Sequence, residues 1–182
     1  SSNKDHSLSA MAGYSLESYR YDVLQGYRQD YDFPLHELNA GNSSVQTNSG
    51  SSQEWGLVSG FFRLNYGFKD RYLVELNARY DGSSRIASQS RWGVFPSFSL
   101  GWRVTEEEWM KDFQWDWLNS LKLRGSWGLL GNQNIDLYSY FALVSTGKDY
   151  GFNNTDLSSG VAQTAISNQN LKWETTAIGD FG

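Results

Sequence analysis

Over long stretches of this chain, apolar and polar residues alternate one position at a time. From Tyr72 the even positions read Tyr72, Val74, Leu76, Ala78 and Tyr80, against Leu73, Glu75, Asn77, Arg79 and Asp81. Successive side chains of a strand point to opposite faces, so this segment predicts a strand with one apolar and one largely charged face. Trp92, Val94, Pro96, Phe98, Leu100, Trp102 and Val104 repeat the pattern, with Gly93, Phe95, Ser97, Ser99, Gly101, Arg103 and Thr105 opposite them. A third row, from Gly56 to Phe68, sets Val58, Phe62, Leu64 and Tyr66 against Ser59, Arg63 and Asn65. Leu8, Ala10, Ala12, Tyr14 and Leu16 form a fainter row, while Leu121, Leu123, Gly125, Trp127 and Leu129 alternate with Lys122, Arg124 and Ser126. A last row begins at Leu171 and passes through Trp173, Thr175 and Ala177 towards Phe181. The prediction is an all-β, antiparallel chain of about six strands.

Two architectures alternate in this way. A soluble sandwich has a dry inner and a wet outer face. A transmembrane barrel has a lipid-facing row and a lumen-facing row. The rows here are long enough for a bilayer, which a tilted strand crosses in ~9–11 residues. Trp92 and Trp102 share a face ten residues apart; at roughly 3.3 Å per residue and ~40° of tilt this projects to about 25 Å, the height between the aromatic girdles of an outer-membrane barrel. A spanning helix is excluded, because the longest apolar run, Tyr140 to Val144, falls far short of the ~20 residues needed.

Connection lengths orient the strands. Only Lys69, Asp70 and Arg71 separate Phe68 from Tyr72, which predicts a tight periplasmic turn, since barrels keep their longer loops outside. Residues 25–53, the segment Ile86 to Arg91 and the long link from Asn132 to Asn170 then fall outside. Tyr138 to Val144 reads as a strand-like excursion within that link, not as a crossing. Residues 105–120 fall on the periplasmic side with their own helix signal. Thr105 and Glu108 match a capping box, Glu106 and Glu107 suit the positive end of a helix dipole, and Trp109, Phe113 and Trp117 recur every four residues. One short amphipathic helix near 106–117 is expected to cap the inner rim; its acidic polar face fits a membrane-surface anchor less well.

Composition narrows the chemistry. The chain has 182 residues with a net charge of −5, a balance that argues against a nucleic-acid partner. With no cysteine, disulfide scaffolds, zinc knuckles and thiol catalysis are excluded. The polar start at Ser1 and the strand-like ending read as part of a larger protein. His6 and His36 lie far apart with no nucleophile motif beside them, and read as surface or loop histidines. Consecutive Glu106, Glu107 and Glu108 point in different directions on a helix, so a solvated helix start is expected rather than a metal cluster. Asp30 and Asp32 lack a full calcium loop, and Gly125, Gly128 and Gly131 lack the Lys and Ser/Thr of a phosphate loop. Neither an enzyme, a metal nor a cofactor is predicted.

Four motifs follow one another in register: RYDGSSR at Arg79 to Arg85, WGVFPSFSLGWRV at Trp92 to Val104, LKLRGSWGLLGNQNI at Leu121 to Ile135, and NLKWETT at Asn170 to Thr176. Their order and spacing resemble the barrel of the SusC/RagA family of TonB-dependent transporters, from the outer membrane of Bacteroidetes. The likeness runs from about Glu54 to the end, with HSLSAMAGYSLESY at His6 to Tyr19 a fainter match to the preceding strand. SWGLLGN stands where SYGxTGN is more usual. The resemblance implies a barrel of about 22 strands, filled by a plug domain and covered by a SusD-like surface lipoprotein. It also implies import of oligosaccharides or oligopeptides, powered through the TonB complex. Residues 1–182 would then be a partial barrel, with plug and remaining strands outside this chain.

By alternation, Glu75, Asn77, Arg79, Asp81, Arg103, Lys122 and Arg124 are expected to face the lumen, because a charge facing lipid at mid-depth costs roughly 2–4 kcal/mol. They either line the substrate path or form structural ion pairs with neighbouring strands and plug; the second reading is the stronger. Ligand or partner contacts are expected from the outer connections, where Tyr27, Tyr31, Phe33, Tyr138, Tyr140, Tyr150 and Phe152 could stack on sugars, grip a peptide or meet the lipoprotein. The rival reading is a soluble all-β carbohydrate-binding module.

Overall fold

The computed structural model describes residues 5–112, 117–152 and 156–182. Six strands form one antiparallel sheet: β1 (His6–Arg28), β2 (Gln46–Phe68), β3 (Tyr72–Ser83), β4 (Trp92–Arg103), β5 (Lys122–Asn132) and β10 (Glu174–Phe181), in the order β1-β2-β3-β4-β5-β10. Chain order and sheet order agree, so each strand pairs with the next by an up-and-down meander. The link from β5 to β10 carries four short strands, β6 (Val144–Thr146), β7 (Tyr150–Phe152), β8 (Asp156–Ser158) and β9 (Val161–Gln163), in which the β7–β8 hairpin is nested inside the β6–β9 pair. The chain divides into two compact units, residues Ser18–Trp55 and the remainder.

Register fixes the faces. Leu76 lies opposite Leu64 on β2 and Phe98 on β4, and Phe98 opposite Trp127 on β5. Glu75 lies opposite Asn65 and Ser99, and Arg103 opposite Lys122. Apolar and ionic rows therefore continue across the sheet on opposite sides, as the alternation predicts. No second sheet covers the apolar side among the described residues: Val94 is 61% exposed and Leu100 53% exposed. A sandwich core would bury both. The buried apolar residues are instead few and small in extent: Ile86, Ala87, Phe95, Val104 and Met110.

The turn from β2 to β3 is as tight as expected. Lys69 and Asp70 take φ of 51° and 56°, the positive values of a primed hairpin turn whose twist suits the strands. Three expectations require correction. The segment 25–53 is not all loop: β1 continues to Arg28 and β2 begins at Gln46, because Ser- and Asn-rich strands pair through backbone groups that do not depend on side-chain polarity. Tyr138 to Val144 is not strand-like. Tyr138 takes φ 65° and its carbonyl accepts from the Phe141 amide at 2.8 Å, making a turn, and only Val144 enters β6. The last strand begins at Glu174 rather than Leu171, since Trp173 is engaged elsewhere.

The helix near 106–117 is also much shorter than expected. Val104–Glu106 forms a 3-10 turn and α1 spans only Glu108–Lys111. The capping box does not form: Thr105 Oγ1 accepts from the Leu121 amide at 3.4 Å, and Glu107, not Thr105, holds the cap position in extended conformation. Trp109 and Trp117 are exposed, with Trp117 in a turn. The third member of the stripe, Phe113, lies outside the described residues. β4 carries one irregularity. Its pairing with β5 begins at Ser97, immediately after Pro96, which has no N–H to donate.

Candidate functional site

On the ionic face the structure gathers Glu75, Asn77, Arg79 and Asp81 into two clusters. Arg63 Nε donates to Asn77 Oδ1 at 2.7 Å, Asn77 Nδ2 donates to Glu75 Oε1 at 2.9 Å, and Arg63 lies 3.9 Å from Glu75. Arg79 donates to both Asp81 oxygens at 3.3 Å and to Ser59 Oγ at 3.3 Å, with Asp81 and Ser59 buried. These four residues thus serve as cross-strand and along-strand pairs. Arg103, Lys122 and Arg124 share the face but stand apart from the clusters. Arg103 lies opposite Lys122, all three are exposed, and none makes a side-chain hydrogen bond or ion pair among the described residues. A groove on this face is bordered by Ser7, Ser9, Asn65, Lys122, Arg124 and Asp180.

The four sequence motifs meet at the end of the sheet that carries the Ser84–Arg91 connection. Ser84 and Gly56 exchange hydrogen bonds: the Ser84 amide donates to the Gly56 carbonyl, and the Gly56 amide to Ser84 Oγ, both at 2.9 Å. Arg85 Nη1 reaches the Ile135 carbonyl at 3.0 Å, and Ile86 is wholly buried. Trp173 Nε1 donates to the Arg91 carbonyl at 2.9 Å, and its ring meets Phe95 edge-on with centroids 5.1 Å apart. Gly131 lies so close beneath Phe95 that a Cβ there would collide with the ring. This knot escapes a reading by alternation, because Ser84, Arg85, Ile86, Arg91, Ile135 and Trp173 lie in connections and meet the strands only through tertiary contact. The Trp in NLKWETT was its visible signal.

At the opposite end, Glu107 is the residue most clearly misjudged as part of a solvated helix start. It is 8% exposed. Tyr72 donates its hydroxyl to Glu107 Oε1 at 2.6 Å, Trp102 Nε1 donates to the same oxygen at 3.0 Å, and Arg71 Nη1 reaches Oε2 at 3.2 Å. Arg71 also contacts Glu108 at 3.3 Å. The Tyr72 bond, then the Trp102 bond, hold the Glu107 carboxyl below its ordinary pKa, with burial opposing and Arg71 adding to the lowering. The carboxylate therefore clips the β4–β5 connection to the ends of β3 and β4.

The aromatic candidates divide. Tyr140 donates its hydroxyl to the Ser84 carbonyl at 3.2 Å and packs on Phe141, so it ties the link to the knot. Tyr138 holds the turn, and Tyr150 is exposed on β7. Phe152 ends β7, and its side chain lies outside the described features. Within the unit Ser18–Trp55, Tyr27 donates to Gln29 at 3.1 Å, Tyr31 bridges Gly41 and Phe33 is exposed. Tyr19 stacks on Trp55 there, with centroids 5.9 Å apart.

One uncovered apolar face, one ionic face and a meander of neighbouring strands define a piece of a membrane β-barrel wall. The family profile for "TonB dependent receptor-like, beta-barrel" matches residues 2–180. The chain belongs to this family. It is 43% identical over 130 residues to the TonB-dependent receptor SusC of Bacteroides thetaiotaomicron, covering 69% of this chain and 13% of that protein. It is 32% identical over 182 residues to the TonB-dependent receptor P39 of Formosa agariphila, covering 99% of the chain and 17% of that receptor. Among solved structures it resembles the RagAB peptide transporter (TM-score 0.85, 26% identity, 98% of this chain and 19% of that one). The RagAB peptide importer in its 'closed-closed' state is similar as well (TM-score 0.87, 27% identity, 100% and 20%). The chain thus spans less than a fifth of the length of these curated relatives.

Proposed function

We propose that this chain is part of the wall of an energy-coupled outer-membrane importer. In this reading the Tyr72–Tyr80 and Trp92–Trp102 apolar rows face lipid, and Glu75, Asn77, Arg79, Asp81, Arg103, Lys122 and Arg124 face the lumen. The observation that carries it is the single-layered sheet, with its large apolar side chains uncovered on one side and its ionic side chains collected on the other. The cargo is an oligosaccharide or oligopeptide. The first is what the SusC/RagA resemblance implies, and the RagAB peptide importer, by its name, supports the second. The partners are a SusD-like surface lipoprotein and the TonB complex, acting through the plug of the full-length protein. The function is passage, not bond-making, and the protein resides in the outer membrane of a Bacteroidetes-like cell.

Cysteines placed in the full-length transporter test the orientation. Leu76→Cys should react with a membrane-soluble maleimide and resist a charged one, while Asn77→Cys should do the reverse. Equal labelling of both positions by the charged reagent in intact membranes would refute the assignment of faces. Deleting the gene and measuring growth on oligosaccharides against oligopeptides then separates the two cargo classes.

A further inference from the structure

At the end of the sheet remote from the Ser84–Arg91 connection, the apolar side finishes in three residues aligned by register: Tyr72 on β3, Trp102 on β4 and Leu123 on β5. Tyr and Trp at the rim of a membrane protein ordinarily turn their polar atoms to the headgroup layer. Here both donors are engaged inside the protein. The Tyr72 hydroxyl and the Trp102 indole N–H converge on Glu107 Oε1 at 2.6 and 3.0 Å. Both side chains belong to the apolar rows, so Glu107 stands on the apolar side of the sheet and draws the segment Val104–Lys111 there with it. Within that segment Val104 and Met110 are buried. Trp109 is turned outward, 51% exposed, and its indole makes no hydrogen bond among the described residues. Three consecutive glutamates would keep such a segment off a lipid surface if they stood unpaired. Each is answered within the fold: Glu106 by Lys111 at 3.3 Å, and Glu107 and Glu108 by Arg71 at 3.2 and 3.3 Å.

We propose that Trp109 anchors the β4–β5 connection in the phospholipid headgroup layer of the periplasmic leaflet, taking the place of the two rim donors that Glu107 engages. This rests on the reading of the apolar face as the lipid-facing one. Two features favour lipid as the occupant. The segment continues the apolar side of the sheet beyond its last register row, so the bilayer that covers Tyr72, Trp102 and Leu123 ends where Trp109 begins. Its charges are also matched, which leaves an amphipathic indole as the feature presented outward. An indole has an apolar body and one polar tip, and its lowest-energy place is where hydrocarbon meets water.

Photolabelling of the full-length transporter tests this in vesicles of phosphatidylethanolamine and phosphatidylglycerol. One preparation carries a phospholipid with a diazirine beside the glycerol, a second carries the diazirine at the acyl-chain end, and adducts are located by peptide mass mapping. The glycerol-proximal probe should label Trp109, and the chain-end probe should label Leu76 and Phe98 but not Trp109. Trp109→Ser should cut labelling of residues 104–111 several-fold and leave that of Leu76 and Phe98 unchanged. Trp109 unlabelled while Leu76 and Phe98 are labelled would place its indole in water or against other protein, overturning the anchor and leaving the assignment of faces intact. Labelling of residues 104–111 undiminished in Trp109→Ser would overturn it as well. Absence of adducts at Leu76 and Phe98 would refute the assignment of faces, and the anchor with it.

Discussion

Glu107 accepts from Tyr72, Trp102 and Arg71 on one buried carboxylate, and its chemistry sets a pH response. A carboxyl whose folded pKa is depressed contributes stability that is present above its unfolded pKa, about 4.3, and is lost as pH falls through the lower folded value. Amide protection of Val104–Lys111 in the full-length transporter should therefore hold at neutral pH and collapse only in acid, below the ordinary carboxylate range. Glu107→Gln should show that loss already at pH 7, read by hydrogen exchange. Ile86 gives a second prediction at this scale. Being wholly buried, its replacement by Ala should cost about 2–5 kcal/mol, read as a lower urea midpoint. Glu107 was not legible in the sequence because its partners come from a turn and two strand ends, a combination that only tertiary structure assembles.

At the scale of elements, alternation located β3 and β4 almost to the residue. It failed where tertiary contacts overrode local preference. The Thr105–Glu108 capping signal lost to the Glu107 clip, and the apolar spacing that pointed to a strand from Leu171 lost to Trp173, whose indole bonds Arg91 and whose ring abuts Phe95. Trp173→Phe keeps the ring but removes the indole donor. It should cost about 1 kcal/mol for the bond, with a further loss if the edge-on contact loosens. Gly131→Val should destabilise the same knot by driving a side chain into the Phe95 ring. Both effects can be read from protease resistance of the Ser84–Arg91 connection.

For the molecule as a whole, the difference between the two faces is the testable quantity. Leu76→Arg places a cation on the apolar side and should cost about 2–4 kcal/mol if that residue sits near mid-bilayer, read by folding yield into lipid vesicles. Asn77→Arg, one position along, should be tolerated. The face pattern was legible because its period is two and survives any register. Arg103, Lys122 and Arg124 were visible residue by residue, but their lack of partners needed the β4–β5 register and the positions of Asp180 and Glu75. Pro96 has a last consequence. Beyond the end of the β4–β5 ladder, Trp173 fastens the connection before β10 to β4, with its indole on the Arg91 carbonyl and its ring against Phe95. A rim fastened by one side chain instead of a full ladder can accept a different connection without re-threading the strands beneath it.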